Sequence, residues 1–133
     1  MSRENVEVIR ATYDAWGDRD LLGLLETLDP EIEFLTSGYF PDFAPVYRGH
    51  DGMRTFWDEM RAAWEWFRID VERIVEGENC AAVAVRFRAQ GQGSSVITDL
   101  AQGHAARLRD GRVVRLSAHS SFEEALEAVG LRE

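Results

Sequence analysis

Ile97-Thr98-Asp99-Leu100-Ala101-Gln102-Gly103-His104-Ala105-Ala106-Arg107-Leu108, then Arg109-Asp110-Gly111, then Arg112-Val113-Val114-Arg115-Leu116-Ser117-Ala118-His119, carries the clearest structural signal in this sequence. Two strand-forming runs flank an Asp-Gly pair, the strongest short-range hairpin signal. His104 stands in the middle of the first run, and imidazole is the side chain most easily tuned for proton work near neutral pH. His104 is therefore the candidate catalytic residue.

Working back from the hairpin, the same period of two continues. Ala81, Val83, Val85 and Phe87 alternate, with Arg86 and Arg88 on the other parity, and Phe67, Ile69 and Val71 alternate with Arg68, Asp70 and Glu72. Gly77-Glu78-Asn79 and Gly91-Gln92-Gly93-Ser94 read as the turns between them. Strands are expected near 67–76, 80–90, 95–108 and 112–120. Further upstream the period changes to that of a helix. Val6, Ile9, Tyr13 and Trp16 form one stripe, with Ser2 as a candidate cap. Leu21, Leu24, Leu25 and Leu28 form a second, capped by Asp18 or Asp20 and stopped at Asp29-Pro30. Met53, Phe56, Trp57, Met60 and Trp64 form a third. Ile32-Glu33-Phe34 is a short strand. The loop from Ser37 to Val46 carries Tyr39, Phe40, Pro41, Phe43 and Pro45, an apolar content expected of a segment that covers something apolar. Phe122 to Val129 closes the chain as a short helix. The pattern predicts a single α+β domain over residues 1–133, with helices on one face of a curved antiparallel sheet.

Composition narrows the function classes. A chain of 133 residues can bury a core without metal or disulfide staples. The single Cys80 lies in an apolar run and has no intramolecular partner for a disulfide, as expected of a cytoplasmic protein. The first residues run straight into an amphipathic pattern, so no secretory leader is expected. No stretch approaches the roughly 18 apolar residues of a membrane span. A net charge of −9 argues against nucleic acid or anionic lipid as partner. Gly91-Gln92-Gly93 lacks a third glycine and sits between strands, so it is no dinucleotide fingerprint. His50, His104, His119 and Cys80 have no metal-ligand spacing, and neither metal nor cofactor is expected.

Three pieces of this sequence resemble the NTF2-like superfamily, in its SnoaL-like, polyketide-cyclase-like branch. Tyr47-Arg48-Gly49-His50-Asp51-Gly52 with Phe56 looks like the family's lead-in to its third helix. His104-x-x-x-Leu108-x-x-Gly111-Arg112-Val113-Val114 looks like its last hairpin, and Glu124-Ala125-Leu126-Glu127-Ala128 like its tail. The resemblance implies an NTF2-like cone: three N-terminal helices on a strongly curved, mainly antiparallel sheet, a short C-terminal helix and an apolar cavity between them. It also implies a homodimer through the outer sheet face, where Arg86, Arg88, Arg115 and His119 mix with Ala84, Ala101 and Gly103. His104 is similar in position to the catalytic aspartate of the cyclases and to a buried acidic donor of the steroid isomerases. Phe34 stands where steroid isomerases place their aspartate base, and their helix-one tyrosine falls nearest Thr12, one step from Tyr13. The epoxide hydrolases need an Asp-Arg-Asp set projecting into the cavity, and Asp99, Arg86 and Arg88 fall on the wrong parity for it, which argues against that branch. Tyr13 or Tyr39 with His104 imitates part of a dehydratase set.

Strand parity selects the expected lining. Val83, Val85 and Phe87 face inward on one strand, Leu100, Gln102 and His104 on the next, and Leu116 and Ala118 on the last. The helices add Tyr13, Trp16, Trp57, Met60 and Trp64, and Phe34 and Phe40 line the mouth or wall. A small apolar, carbonyl-bearing molecule, polyketide- or terpenoid-like, is the expected ligand. In a cofactor-free cyclase or isomerase His104 transfers the proton and Gln102 polarises the oxygen. A binding protein without turnover, a dehydratase of the same fold, and a dimeric structural domain with a filled core are the alternatives.

Overall fold

The computed structural model describes residues 2–36 and 43–132. Along these the chain runs α1 (Ser2–Gly17), α2 (Leu21–Thr27), β1 (Leu28–Leu35), β2 (Val46–Arg48), α3 (Gly49–Ala63), β3 (Trp64–Gly77), β4 (Cys80–Gly91), β5 (Ile97–Arg109), β6 (Arg112–His119) and α4 (Phe122–Ala128). The strands form one six-stranded sheet in the order β2-β1-β6-β5-β4-β3. Every neighbouring pair is antiparallel except β1 with β6, which is parallel. Register shifts interrupt β3 against β4 at Trp64/Trp66 and at Val71/Arg73, and β5 against β6 at Arg107/Leu108. Bulges of this kind bend the strand that carries them and curl the sheet around the helices.

Local chemistry explains the element ends. Asp20 caps α2 by accepting from the Gly23 N–H at 3.0 Å. Asp110 and Gly111 have φ of 53° and 78°, the paired left-handed residues that a two-residue hairpin of type I′ demands. Trp64 differs from the helical stripe read in the sequence. Its backbone is extended (φ −117°, ψ 134°) while its N–H still bonds the Met60 carbonyl, so it ends α3 and begins β3 with no loop between. Leu28 departs likewise, closing α2 and opening β1. Both residues satisfy the apolar spacing of a helix, and pairing with the sheet claims them.

The main core lies between α1, α2, α3 and the inner face of the sheet, with Ile9, Leu24, Ile32, Met53 and Val83 essentially sealed from solvent. A second, smaller core lies on the outer face, where Ala125, Leu126 and Val129 of the C-terminal segment cover Cys80, Ala82 and Ala105. Gly103 makes this docking possible. A Cβ there would stand 2.3 Å from the Ser121 carbonyl oxygen and 2.7 Å from Phe122 Cα, so the α4 backbone rests directly on β5. Gly103 is thus covered within the chain and is not offered to a partner copy. The remaining outer face carries a lattice of exposed ion pairs, including Arg86 with Asp99 at 2.8 Å and Arg88 with Asp70 at 3.7 Å. Among the described residues no helix is long and apolar enough to cross a membrane.

Candidate functional site

His104 reaches the inside of the cone because β5 alternates and because both neighbouring strands present small or slim groups beside it. Val83 of β4 and Ala118 of β6 are its cross-strand partners. The ring is buried, and burial pushes its pKa from the ordinary 6.5 down to about 4, with His119 adding a smaller push in the same direction. His104 is therefore a neutral imidazole at pH 7. Its Nδ1 lies 2.6 Å from the hydroxyl of Tyr13 on α1. Burial raises the Tyr13 pKa, so that hydroxyl keeps its proton. Tyr13 has no other hydrogen-bond partner among the described residues, and donation to Nδ1 satisfies its O–H. Nε2 of His104 then carries the ring proton.

The space in front of this pair is small and aromatic. Trp16, Phe34, Phe56, Met60, Phe67 and Ile69 wall it together with Phe87, Gln102, His104 and Ala118. Its free volume is about 20 Å³, room for about one water molecule. Three polar groups on this wall have no protein partner among the described residues. They are the Gln102 side-chain amide, Nε2 of His104 and the buried indole nitrogen of Trp16. Buried polar groups are ordinarily bonded, and of these three it is the Trp16 nitrogen that is fully sealed from solvent without a partner. No carboxylate is among the described lining residues.

The structure distributes the residues expected at the site unevenly. His104, Gln102, Trp16, Phe34, Met60, Phe87 and Ala118 line the cavity. Tyr13 stands behind His104, stacked on it with ring centroids 5.8 Å apart. The helix-one register therefore brings Tyr13 to the histidine, while Thr12 bonds the Val8 carbonyl and Thr27 instead. Val83, Val85 and Leu116 are buried in the core and lie outside the lining. Trp57 and Trp64 line a separate cleft. Leu100 is 42% exposed although its parity matches His104, because β6 ends opposite Gly103 and nothing covers β5 beyond it. Phe40 and Tyr39 lie outside the described residues. The lining also includes Phe56, Phe67 and Ile69. Each carried the right periodicity in the sequence, and periodicity marks burial without distinguishing core from cavity wall.

Residues 9–116 match the SnoaL-like domain family. The chain belongs to that family. Its fold is shared with many solved proteins. TerC, crystallised with polyporic acid, superposes with a TM-score of 0.80 at 22% identity, covering 93% of this chain and 98% of TerC. An NTF2-like protein of unknown function from Burkholderia pseudomallei gives 0.80 at 22% identity over 96% and 97%. A proposed SnoaL-like polyketide cyclase from a Jannaschia species gives 0.75 at 17% over 99% and 95%. Identities this low speak for the SnoaL-like fold alone. Among curated proteins none matches this sequence.

Proposed function

We propose that this SnoaL-like protein binds a small, mainly apolar molecule through a carbonyl oxygen, and that His104 performs cofactor-free acid–base chemistry on it as an isomerase or cyclase. The observation that carries this reading is the set of unpartnered donors on an otherwise aromatic cavity: Nε2–H of His104, the Gln102 amide and the Trp16 indole N–H. All three suit an acceptor oxygen. Tyr13 holds the imidazole in the tautomer that points its proton at that oxygen. As negative charge develops on the oxygen, a fixed donor in a water-poor site stabilises it more than the ground-state carbonyl. The polyporic acid co-crystallised with TerC is in keeping with an oxygen-bearing guest for this fold.

With room for about one water, the cavity takes the carbonyl end first, and the aromatic walls shift to admit the body. Among the described lining residues there is no carboxylate, and Nδ1 of His104 is occupied by Tyr13; this favours a second reading, a binder without turnover. A dehydratase would use the same Tyr13–His104 pair. 2-Tetralone separates these readings. Its binding is followed by the His104 ring resonances, and its catalysis by exchange of the α-protons for deuterium. Binding with accelerated exchange that His104→Gln abolishes supports the enzyme. Binding with unaccelerated exchange leaves the binder, and unmoved His104 resonances at saturating ketone reject both.

Pairing of two copies through the outer sheet face belongs to the same proposal. It is supported by Ile97, which has outer-face parity and is 56% exposed where β5 runs past the end of β6. Light scattering that finds only monomer at micromolar concentration removes it. The buried free thiol of Cys80 suits a reducing, cytoplasmic setting.

A further inference from the structure

A cleft roomier than the inner cavity opens where α3 runs into β3. It has a volume of about 470 Å³, within the range of small-molecule sites, and it is walled by Trp57, Trp64, Trp66 and Phe67. Arg19, Arg61, Glu65 and Gln92 complete it. Three of the chain's four tryptophans meet at this one place.

Several of these groups are held in position. The Trp66 indole N–H donates to Gln90 Oε1 at 2.9 Å, and the Gln92 amide donates to the Trp64 carbonyl at 3.2 Å. Arg19 sits at φ 59° just past α1, its backbone N–H on the Trp16 carbonyl, which carries its guanidinium to 6.0 Å from the centre of the Phe67 ring. Arg61 belongs to the last turn of α3. Although the protein carries a net charge of −9, neither Arg19 nor Arg61 makes an ion pair among the described residues. Glu65 supplies one negative charge against these two positive ones. The buried indole nitrogen of Trp64 also lacks a partner among the described residues.

We propose that this cleft is a binding site for a planar aromatic carboxylate. The aromatic body lies against the tryptophans and Phe67, and the carboxylate is taken by the guanidinium groups of Arg19 and Arg61. The chemistry selects this class. Indole faces reward a flat apolar ring, guanidinium is built to fork onto a carboxylate and to lie over aromatic rings, and a cation of any size would meet two arginines. The site is independent of the reading given to His104, although Phe67 is a wall common to both spaces.

The test uses 2-naphthoate, with 2-naphthamide as the neutral isostere and hexanoate as the aliphatic acid, titrated into the whole chain and read by tryptophan fluorescence and calorimetry. Arg19→Asn keeps a residue that tolerates positive φ, and Arg61→Gln keeps a good helix former. Both positions are exposed, and unchanged thermal midpoints confirm that the variants fold. Saturable binding of 2-naphthoate is expected, with each substitution and the amide weakening it about tenfold or more and hexanoate binding more weakly still. The His104 ring resonances stay in place at saturation. The proposal is overturned by no saturable binding at millimolar 2-naphthoate, by equal affinity for 2-naphthamide, or by variants that bind as the parent does. A shift of the His104 resonances also overturns it, because it places the ligand in the inner cavity.

Discussion

The two halves of β5 share one strand and one alternation and have opposite fates. From Asp99 to Ala101 the residues are exposed on both faces, and from Gln102 to Ala106 they are buried on both. The first half pairs with β4 alone. The second is flanked by β4 and β6, covered inside by the helices of the cone and outside by α4. His104 sits just inside the covered half. What isolates its imidazole from water is the coverage supplied by other elements, and alternation only chooses the direction in which it points.

Leu100 and Leu108 sharpen this contrast most. They have the same parity on the same strand, at 42% and 6% exposure. Leu108→Ala should lower the free energy of unfolding by about 2–5 kcal/mol through lost burial and a residual cavity, measured by urea denaturation. Gly103→Ala tests the outer cover. The added methyl meets backbone that cannot rotate away, so α4 must lift, with an expected loss of about 3 kcal/mol. Amide exchange along α4 should accelerate in that variant. Unchanged stability would mean that α4 is not clamped on β5.

The acid limb probes the inner cover. The folded protein keeps His104 neutral down to about pH 4, whereas an unfolded histidine takes its proton near 6.5. Stability is therefore complete above pH 6.5 and falls as the pH drops from there towards 4, by about 3 kcal/mol from this one group. His104→Gln, whatever its starting stability, should flatten that limb by one proton. A slope equal to the parent's would show that the imidazole titrates normally. Tyr13→Phe removes the partner of Nδ1 and should cost about 1–2 kcal/mol. Nitrogen shifts of the ring would then show a mixture of tautomers in place of one. At the small end, Leu100→Ala should change stability by less than about 0.5 kcal/mol. A larger loss that depends on protein concentration would show a second copy covering the exposed half.

Much of this was legible beforehand because it depends on neighbours in the chain. The Asp110-Gly111 turn, the alternation of β3 to β6 and the stripes of α1 and α3 are local properties, and they located the strands to within a few residues. The same locality misled at Trp64 and Leu28, where helical spacing continued into residues that the sheet claims. It also missed the separation of Trp57 and Trp64 from Trp16, because stripe membership does not say which side of a wall a ring faces.

The α+β class, the direction of His104 and its company with Gln102 follow from the residue order alone, since backbone periodicity and turn chemistry are written over a few residues. Three-dimensional packing settles that Tyr13 and not Thr12 meets the histidine, that aromatic rings leave the cone room for about one water, and that a wider space opens beside Arg19 and Arg61. Those outcomes depend on how far α1 and α3 slide and turn over a bent sheet. That placement is set by summed packing across residues as far apart as 13 and 104, and no local pattern records it.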